Sequence, residues 1–412
     1  MVRSFLVSLT IAAALSATCW AAKPHHKHAA AASTAAPAAS TAPASTAPAV
    51  SAPTVGGMVI PGPPQVEARA YIVVDYQTGK VLAASNSTER MEPASLTKLM
   101  TAYIVFHELA AGKLKLEDMV TVSEHAWRSE GSRTFIELGK PVSVNELILG
   151  MIVQSGNDAT IALAERIAGT EETFAQLMNS TAKSLNMEGS HFENSSGLPS
   201  PQHYSTARDM SLLAIAMIRD YPQFYKYYSV REFEHNGIKQ QNRNGLLEKD
   251  PSVDGLKTGH TDSAGFCLVT SAHREGMRLV SVVLGSTSMK ARENASAALL
   301  SYGFTFYDTK LIVKAGTALA TTHVWKAANP SAELGIKDDL YMTLARGQSE
   351  VKTSVDVAPK LIAPLAVDAN VGTLHVFNGK EALATVALHP LKPVAAGGWW
   401  RRLIDTIRLW FA

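Results

Sequence analysis

Ser95-Leu96-Thr97-Lys98 sets a hydroxyl and an amine three residues apart, and a helix brings such residues onto one face. A serine hydroxyl is a weak nucleophile near neutral pH and needs an adjacent base. Lys98 can serve only when neutral; burial and a second nearby cation, here Lys257, would both lower its pKa. The start of a helix also offers free N–H groups to a developing oxyanion. Two further motifs follow in order, Ser155-Gly156-Asn157 and Lys257-Thr258-Gly259, and each occurs once. S-x-x-K is common by chance, and Ser180-Thr181-Ala182-Lys183 is a second copy in an ordinary amphipathic helix with no K-T-G of its own. The ordered trio describes a serine acyl-transferase with a lysine base.

The surrounding residues predict the elements that must hold these groups. Leu96, Leu99, Met100, Tyr103 and Ile104 recur with helical spacing, so Ser95 should open a buried helix within a helical region reaching about Gly189. Ser143 and Glu146 form a capping-box start to a helix carrying Leu147, Ile148, Met151 and Ile152. That helix runs into Ser155-Gly156-Asn157, which ends it, and Thr160 to Ala168 reads as the next; a further helix covers Thr206 to Arg219. Ala70–Asp75 and Lys80–Ser85 read as a hairpin, Val253–Thr258 as a strand, and Gly265–Ala272 with Arg278–Gly285 as a second hairpin before a helix over Ala291–Tyr302. Strands at both ends with helices between them imply an α+β fold around an antiparallel sheet. After Phe306, short apolar stretches separated by turn residues read as a small all-β domain. In 397–412, Trp399, Trp400, Leu403, Ile404, Ile407, Trp410 and Phe411 cover one side of a helix, with Arg401, Arg402, Asp405 and Arg408 on the other. Such a helix lies in a bilayer interface without crossing it, and Gly397-Gly398 reads as a hinge before it.

The chain has 412 residues, which favours two domains plus appendages. Its net charge of +2 gives no reason to expect a nucleic-acid partner. Only Cys19 and Cys267 are present and no C-x-x-C or Cys/His metal spacing occurs, so a structural disulfide is not expected, and a serine acyl-transferase of this kind implies no metal or organic cofactor. His25-His26-Lys27-His28 reads as a flexible basic tract. Residues 1–22 read as a secretory signal, with Arg3 before the apolar run Phe5 to Ala17 and cleavage after Ala21 or Ala22. Residues preceding Cys19 fit a lipid-attachment motif poorly. Ala, Ser, Thr and Pro dominate 23–65, which reads as a disordered tether.

From about residue 66 to 412 the chain resembles the low-molecular-mass penicillin-binding proteins, serine-type D-alanyl-D-alanine carboxypeptidases. The likeness rests on the three motifs, their spacing, and the strings Gln154-Ser155-Gly156-Asn157-Asp158-Ala159, Gln241-Asn242-Arg243-Asn244-Gly245-Leu246-Leu247 and Asp254-Gly255-Leu256-Lys257-Thr258-Gly259-His260-Thr261. It implies a penicillin-recognising, β-lactamase/transpeptidase-like domain over 66–305, a β-rich domain over 306–396 and an amphipathic anchor over 397–412. By resemblance, Ser95 is acylated and Lys98 is its base. Ser155 relays a proton, Asn157 holds the substrate amide, and Lys257 supplies positive potential. Thr258 and Arg292 take the terminal carboxylate, Gly259 and His260 also bind substrate, and the N–H groups of Ser95 and His260 form the oxyanion hole. Asp209 and Arg243 support the site from behind, and Gly131-Ser132-Arg133 lies over the cleft. The implied partners are peptidoglycan stem peptides, β-lactams as inhibitors, and the outer face of the inner membrane, reached from the periplasm. Three rivals stay open: a β-lactamase, with Glu193 nearest to the needed glutamate; a D,D-endopeptidase; and a non-catalytic peptidoglycan-binding module.

Overall fold

The computed structural model describes residues 54–55, 58–347 and 351–411. The expected signal segment, most of the expected tether, Cys19 and His25-His26-Lys27-His28 lie outside the described residues. The packed chain begins earlier than expected, because Ile60 is buried and the Pro61 carbonyl accepts the Tyr302 hydroxyl at 3.1 Å.

The first part of the packed chain is built on a five-stranded antiparallel sheet. Its strands are β1 (Ala70–Asp75), β2 (Val81–Ser85), β3 (Val253–Thr261), β4 (Gly265–Arg274) and β5 (Met277–Ser286), in the order β2-β1-β5-β4-β3. Alternate residues of a strand point to opposite faces. Ile72, Val74, Val280 and Val282 therefore enter a core beneath the helices α1 (Lys98–Ala110), α2 (Val144–Leu149), α3 (Asn157–Ala168), α4 (Glu171–Ser184) and α5 (Ala207–Asp220). Val73, Leu279 and Val283 enter a second core under α6 (Met289–Phe306). The sheet is thus buried on both faces, which explains its near-continuous apolar strands.

Several element bounds differ from the expectation. Ser95 lies in a 3-10 turn, Ala94–Thr97, and the α-helix starts only at Lys98. Ala94 has a φ of 48°, so the chain enters the turn through a left-handed residue that no sequence period reports. The region expected to be all-helical contains a short ladder, Met119–Thr121 with Pro141–Ser143. The capping box at Ser143 and Glu146 is present with both of its hydrogen bonds. Helix α3 begins at Asn157, not Thr160.

The second half is β-rich: β6 (Tyr307–Val313), β7 (Ala320–Trp325), β8 (Ser331–Gly335), β9 (Leu340–Ala345), β10 (Val351–Val357), β11 (Leu361–Ile362), β12 (Gly372–Asn378) and β13 (Glu381–Pro390). A six-stranded sheet runs β10-β12-β13-β8-β7-β11, and β6 pairs with β9. The helix α7 (Trp399–Arg408) follows. Gly397-Gly398 is no free hinge at its first residue: Gly397 N donates to Lys326 O at 2.8 Å, and a Cβ at Gly397 would lie 2.9 Å from Ala327 O.

A buried polar cluster joins the two halves. Asp75, fully buried, accepts Thr78 N at 2.7 Å and Thr78 Oγ1 at 2.8 Å within its own hairpin, and Thr309 Oγ1 at 2.7 Å from β6. Thr78 Oγ1 also meets Thr343 Oγ1 of β9 at 2.6 Å, and Lys80 Nζ donates to Thr343 O at 2.9 Å. Asp75→Ala strands these donors and is expected to cost about 2–3 kcal/mol. Calorimetry should show an earlier unfolding transition with acylation at 25 °C unchanged; an unaltered transition would show that the cluster does not tie the halves together.

Candidate active site

Lys98 is 1 % exposed, and its Nζ meets three oxygens: Ser95 Oγ at 2.9 Å, Asn157 Oδ1 at 2.7 Å and Ser196 O at 2.7 Å. Two of these are carbonyl oxygens, which can only accept. A neutral amine has two hydrogens and one lone pair. Giving the hydrogens to Asn157 and Ser196 leaves the lone pair aimed at the Ser95 hydroxyl, as a base requires. The Asn157 amide is held in the needed orientation because its Nδ2 donates to Glu130 O at 2.6 Å.

Burial pushes the Lys98 pKa down to about 7, helped by the Arg243 guanidinium and opposed by the Asp158 and Glu171 carboxylates. The sequence pointed to Lys257 as the helping cation; the structure gives that part to Arg243. Lys257 is itself buried, and burial, then Lys98, Arg243 and Arg292, holds its ammonium well below the usual lysine range. Its Nζ donates to Thr258 O at 2.9 Å, and it does not line the cleft. The positive potential facing the cleft therefore comes from Arg243 and Arg292, which do line it.

The cleft encloses about 580 Å³. Ser95 stands on one wall. Opposite, the helix of Leu147 and Ile148 widens into a π-turn, Gly150–Gln154, and ends at Ser155, which is left-handed with φ 66°. Ser155 Oγ is buried and has no hydrogen-bond partner among the described residues. Such a group costs about 1–3 kcal/mol until something pairs with it, so it is poised for a partner in the cleft. The motif both ends one helix and starts the next, as its composition suggested. Asp158, the residue after it, accepts Thr134 N and Phe135 N, each at 2.8 Å, and so ties down the loop whose Gly131 and Ser132 line the cleft. Arg133 turns away and donates to Trp127 O at 2.5 Å.

Thr258, Gly259 and His260 form the third wall. They lie on β3, the edge of the sheet, where half the backbone N–H and C=O groups are left out of the ladder. The strand presses on the Ser95 turn: a Cβ at Gly259 would lie 3.0 Å from Pro93 O and 3.2 Å from Leu96 N. Arg292, 3 % exposed near the start of α6, donates to Gly259 O and Arg243 O, both at 3.3 Å.

Of the two residues expected behind the site, Arg243 is placed differently. Arg243 is in the cleft wall itself, exposed and without a carboxylate partner among the described residues. Asp209 is outside the cleft lining and buried; it accepts Gly189 N and Ser190 Oγ at 2.8 Å, bracing the chain that leads to Ser205. The second S-x-x-K, Ser180 and Lys183, is exposed on α4. Sequence reasoning missed Ser196 and Gly197. Ser196 contributes a carbonyl, which no side-chain pattern reveals. Gly197 has φ +85°, and a Cβ there would sit 1.8 Å from Ala94 O, so only glycine lets this turn reach the nucleophile. The available signal was Asn194, whose Oδ1 accepts Gly197 N at 2.7 Å in a side-chain-capped turn. Among the described residues no cluster could hold a metal ion.

Comparison with known proteins gives the same picture from outside. The family model described as D-alanyl-D-alanine carboxypeptidase matches residues 58–288, and that of the penicillin-binding protein 5 C-terminal domain matches 307–396. The chain is 41 % identical over 362 residues to D-alanyl-D-alanine carboxypeptidase DacA of Escherichia coli K12, covering 86 % of this chain and 90 % of that one. Penicillin-binding protein 5 from Haemophilus influenzae superposes with a TM-score of 0.77 at 41 % identity, over 81 % of this chain and 99 % of that one. Penicillin-binding protein D2 from Listeria monocytogenes in its ampicillin-bound form matches at 31 % identity and TM-score 0.55, over 58 % of this chain and all of its own.

A base with a pKa of about 7 is unable to take a proton when itself protonated. Acylation of Ser95 should therefore rise with pH, be half-maximal near 7 and level off above. A stopped-flow rate profile that stays flat through neutrality would contradict a Lys98 poised in this way.

Proposed function

The chain belongs to the D-alanyl-D-alanine carboxypeptidase family, and we propose that its hydrolysis runs through an acyl-enzyme on Ser95 with Lys98 as base. The protein is a penicillin-binding D-Ala-D-Ala carboxypeptidase acting on peptidoglycan stem peptides. The observation that carries the residue assignment is the lone pair of Lys98 directed at Ser95 by two carbonyl acceptors.

In this reading Ser95 Oγ attacks the carbonyl of the penultimate D-alanine and its proton passes to Lys98 Nζ. Backbone N–H groups of Ser95 and His260 receive the oxyanion. The C–N bond breaks as the leaving D-alanine nitrogen takes a proton, for which Lys98 and the unpaired Ser155 hydroxyl are at hand. Thr258, Arg243 and Arg292 receive the terminal carboxylate. Water then attacks the ester, Lys98 takes its proton, and Ser95 is released. β-Lactams acylate the same oxygen. A lactamase-type deacylation uses a glutamate to activate water; no carboxylate lines the cleft among the described residues, and Glu193 is engaged with Gln202 N at 3.0 Å. These points favour the carboxypeptidase over a β-lactamase.

We further propose that α7 holds the protein on a membrane surface, with secretion placing it on the periplasmic face of the inner membrane. Trp399, Trp400, Leu403, Ile404, Ile407, Trp410 and Phe411 are all exposed. The polar side is the one that docks: Asp405 Oδ2 accepts Lys326 N at 2.7 Å and Arg401 Nη1 donates to Ala328 O at 3.2 Å. An apolar face left in water beside a cationic one suits an interfacial helix. No helix among the described residues is long and apolar enough to cross a membrane.

Lys98→Ala should slow both release of D-alanine from a D-Ala-D-Ala pentapeptide and penicillin acylation by about 10²–10⁴-fold. Peptide mapping of the wild-type penicillin adduct should find it on Ser95. Near-normal acylation of the variant, or an adduct on Ser180, would overturn the assignment. Deleting residues 397–412 should move the protein from the membrane fraction to the soluble one while activity on a soluble peptide persists. A soluble full-length protein, or a truncated one that still pellets with membranes, would remove the anchor.

A further inference from the structure

Because Ser196 acts through its carbonyl, whatever fixes the Ser195–Ser196 backbone decides where one hydrogen of the Lys98 amine goes. Three side chains grip this turn. Thr101 Oγ1 donates to Ser195 O at 2.7 Å, and Asn194 Oδ1 accepts Gly197 N at 2.7 Å. Glu171, the first residue of α4, does more: its Oε1 accepts both Ser195 N at 2.9 Å and Ser195 Oγ at 2.5 Å. Its other oxygen meets His125 Nε2 at 2.9 Å. The Glu171 side chain is only 11 % exposed, so these charge-assisted bonds are shielded from water. In the sequence Glu171 reads as an ordinary acidic residue in a first helical turn behind the N-cap Thr170, favoured there by the helix dipole. That explanation does not account for a carboxylate turned inward onto the segment that binds the catalytic amine.

We propose that Glu171 is a positioning residue for acylation, clamping Ser195 so that the Ser196 carbonyl stays on Lys98 Nζ and the amine lone pair stays on Ser95. The proposal rests on the reading of Lys98 as base. Electrostatics run in the same direction. The charged and titratable groups around Lys98 are Arg243, Lys257, Asp158, Glu171 and the buried His203; Asp158 and Glu171 are the carboxylates that oppose the fall in its basicity. Glu171 in turn faces His125, which also feels Glu165 and Glu172. Removing the Glu171 charge therefore favours the neutral amine at lower pH, whereas removing the clamp misaims it at every pH.

The two effects separate in three variants of the full-length protein, Glu171→Ala, Glu171→Gln and Ser195→Ala. The readout is the second-order rate of acylation by a fluorescent penicillin over about pH 5–9, with thermal melting in parallel. Glu171→Ala should lose roughly tenfold or more of the alkaline plateau, the scale expected when a reacting group is slightly misplaced. Glu171→Gln keeps an acceptor for Ser195 N, so it should hold most of the plateau while its acid limb moves to lower pH. Ser195→Ala loses one of the two bonds and should fall between wild type and Glu171→Ala. A structural role alone would lower the melting temperature without moving the limb. If Glu171→Ala fails to fold, Ser195→Ala decides, and a plateau equal to that of wild type overturns the proposal. Glu171 variants indistinguishable from wild type, alongside a dead Lys98→Ala, would sink the positioning role alone; an active Lys98→Ala would sink the base assignment beneath it.

Discussion

The site turns on one constraint: an amine must be kept neutral, out of water, with its lone pair on a serine. Burial of Lys98 supplies the neutrality, at a desolvation cost for the charged form that pushes its pKa to about 7. Burial alone would leave the amine free to rotate. Its direction comes from Asn157 Oδ1 and Ser196 O, two acceptors from separate segments that must both be in place. Each acceptor needs its own support, Glu130 O for the Asn157 amide and the Asn194, Thr101 and Glu171 contacts for the Ser195–Ser196 turn. A chain of single hydrogen bonds thus reaches from the nucleophile to the outside of the helical layer.

The sheet contributes in a different way. Its edge strand β3 brings Thr258, Gly259 and His260 against the Ser95 turn so closely that a Cβ at Gly259 would press on Pro93 O and Leu96 N. Gly197 makes the matching approach from the opposite side. The nucleophile is therefore wedged between two backbones, and this packing accompanies the 3-10 turn and the left-handed Ala94 where an α-helix was expected. Two arginines on this side, Arg243 and Arg292, line the cleft and supply positive charge, and Lys257 is buried outside the lining.

The β-rich half has no part in the cleft lining. The Asp75 cluster joins it to the first hairpin of the catalytic sheet, far along the chain from β6 and β9. At its far end it takes the polar side of α7 through Lys326 N and Ala328 O. A helix normally buries its apolar stripe against the core; here the stripe is outward, and this inversion is the structural support for a bilayer as its partner.

The sequence alone was enough for the α+β class, the β-rich second half, the terminal amphipathic helix and the Ser95/Lys98 pair. Each of these is a local signal: an i, i+3 pair, a capping box at Ser143, short apolar strands between turn residues, a one-sided run of tryptophans. The meeting of the Ser95, Ser155 and Lys257 motifs was legible from their order and from resemblance, and the order of the strands was not legible, since nothing local says which distant segments touch. Tertiary structure decided the rest. It put Arg243 in the wall, gave the electrostatic help on Lys98 to Arg243, and chose Ser196 O as the second acceptor. Those outcomes depend on backbone carbonyls, on left-handed φ angles at Ala94 and Ser155, and on close approaches at Gly197 and Gly259. Backbone groups are the same in every residue, so their placement carries no signature in residue type and exists only once the chain has folded.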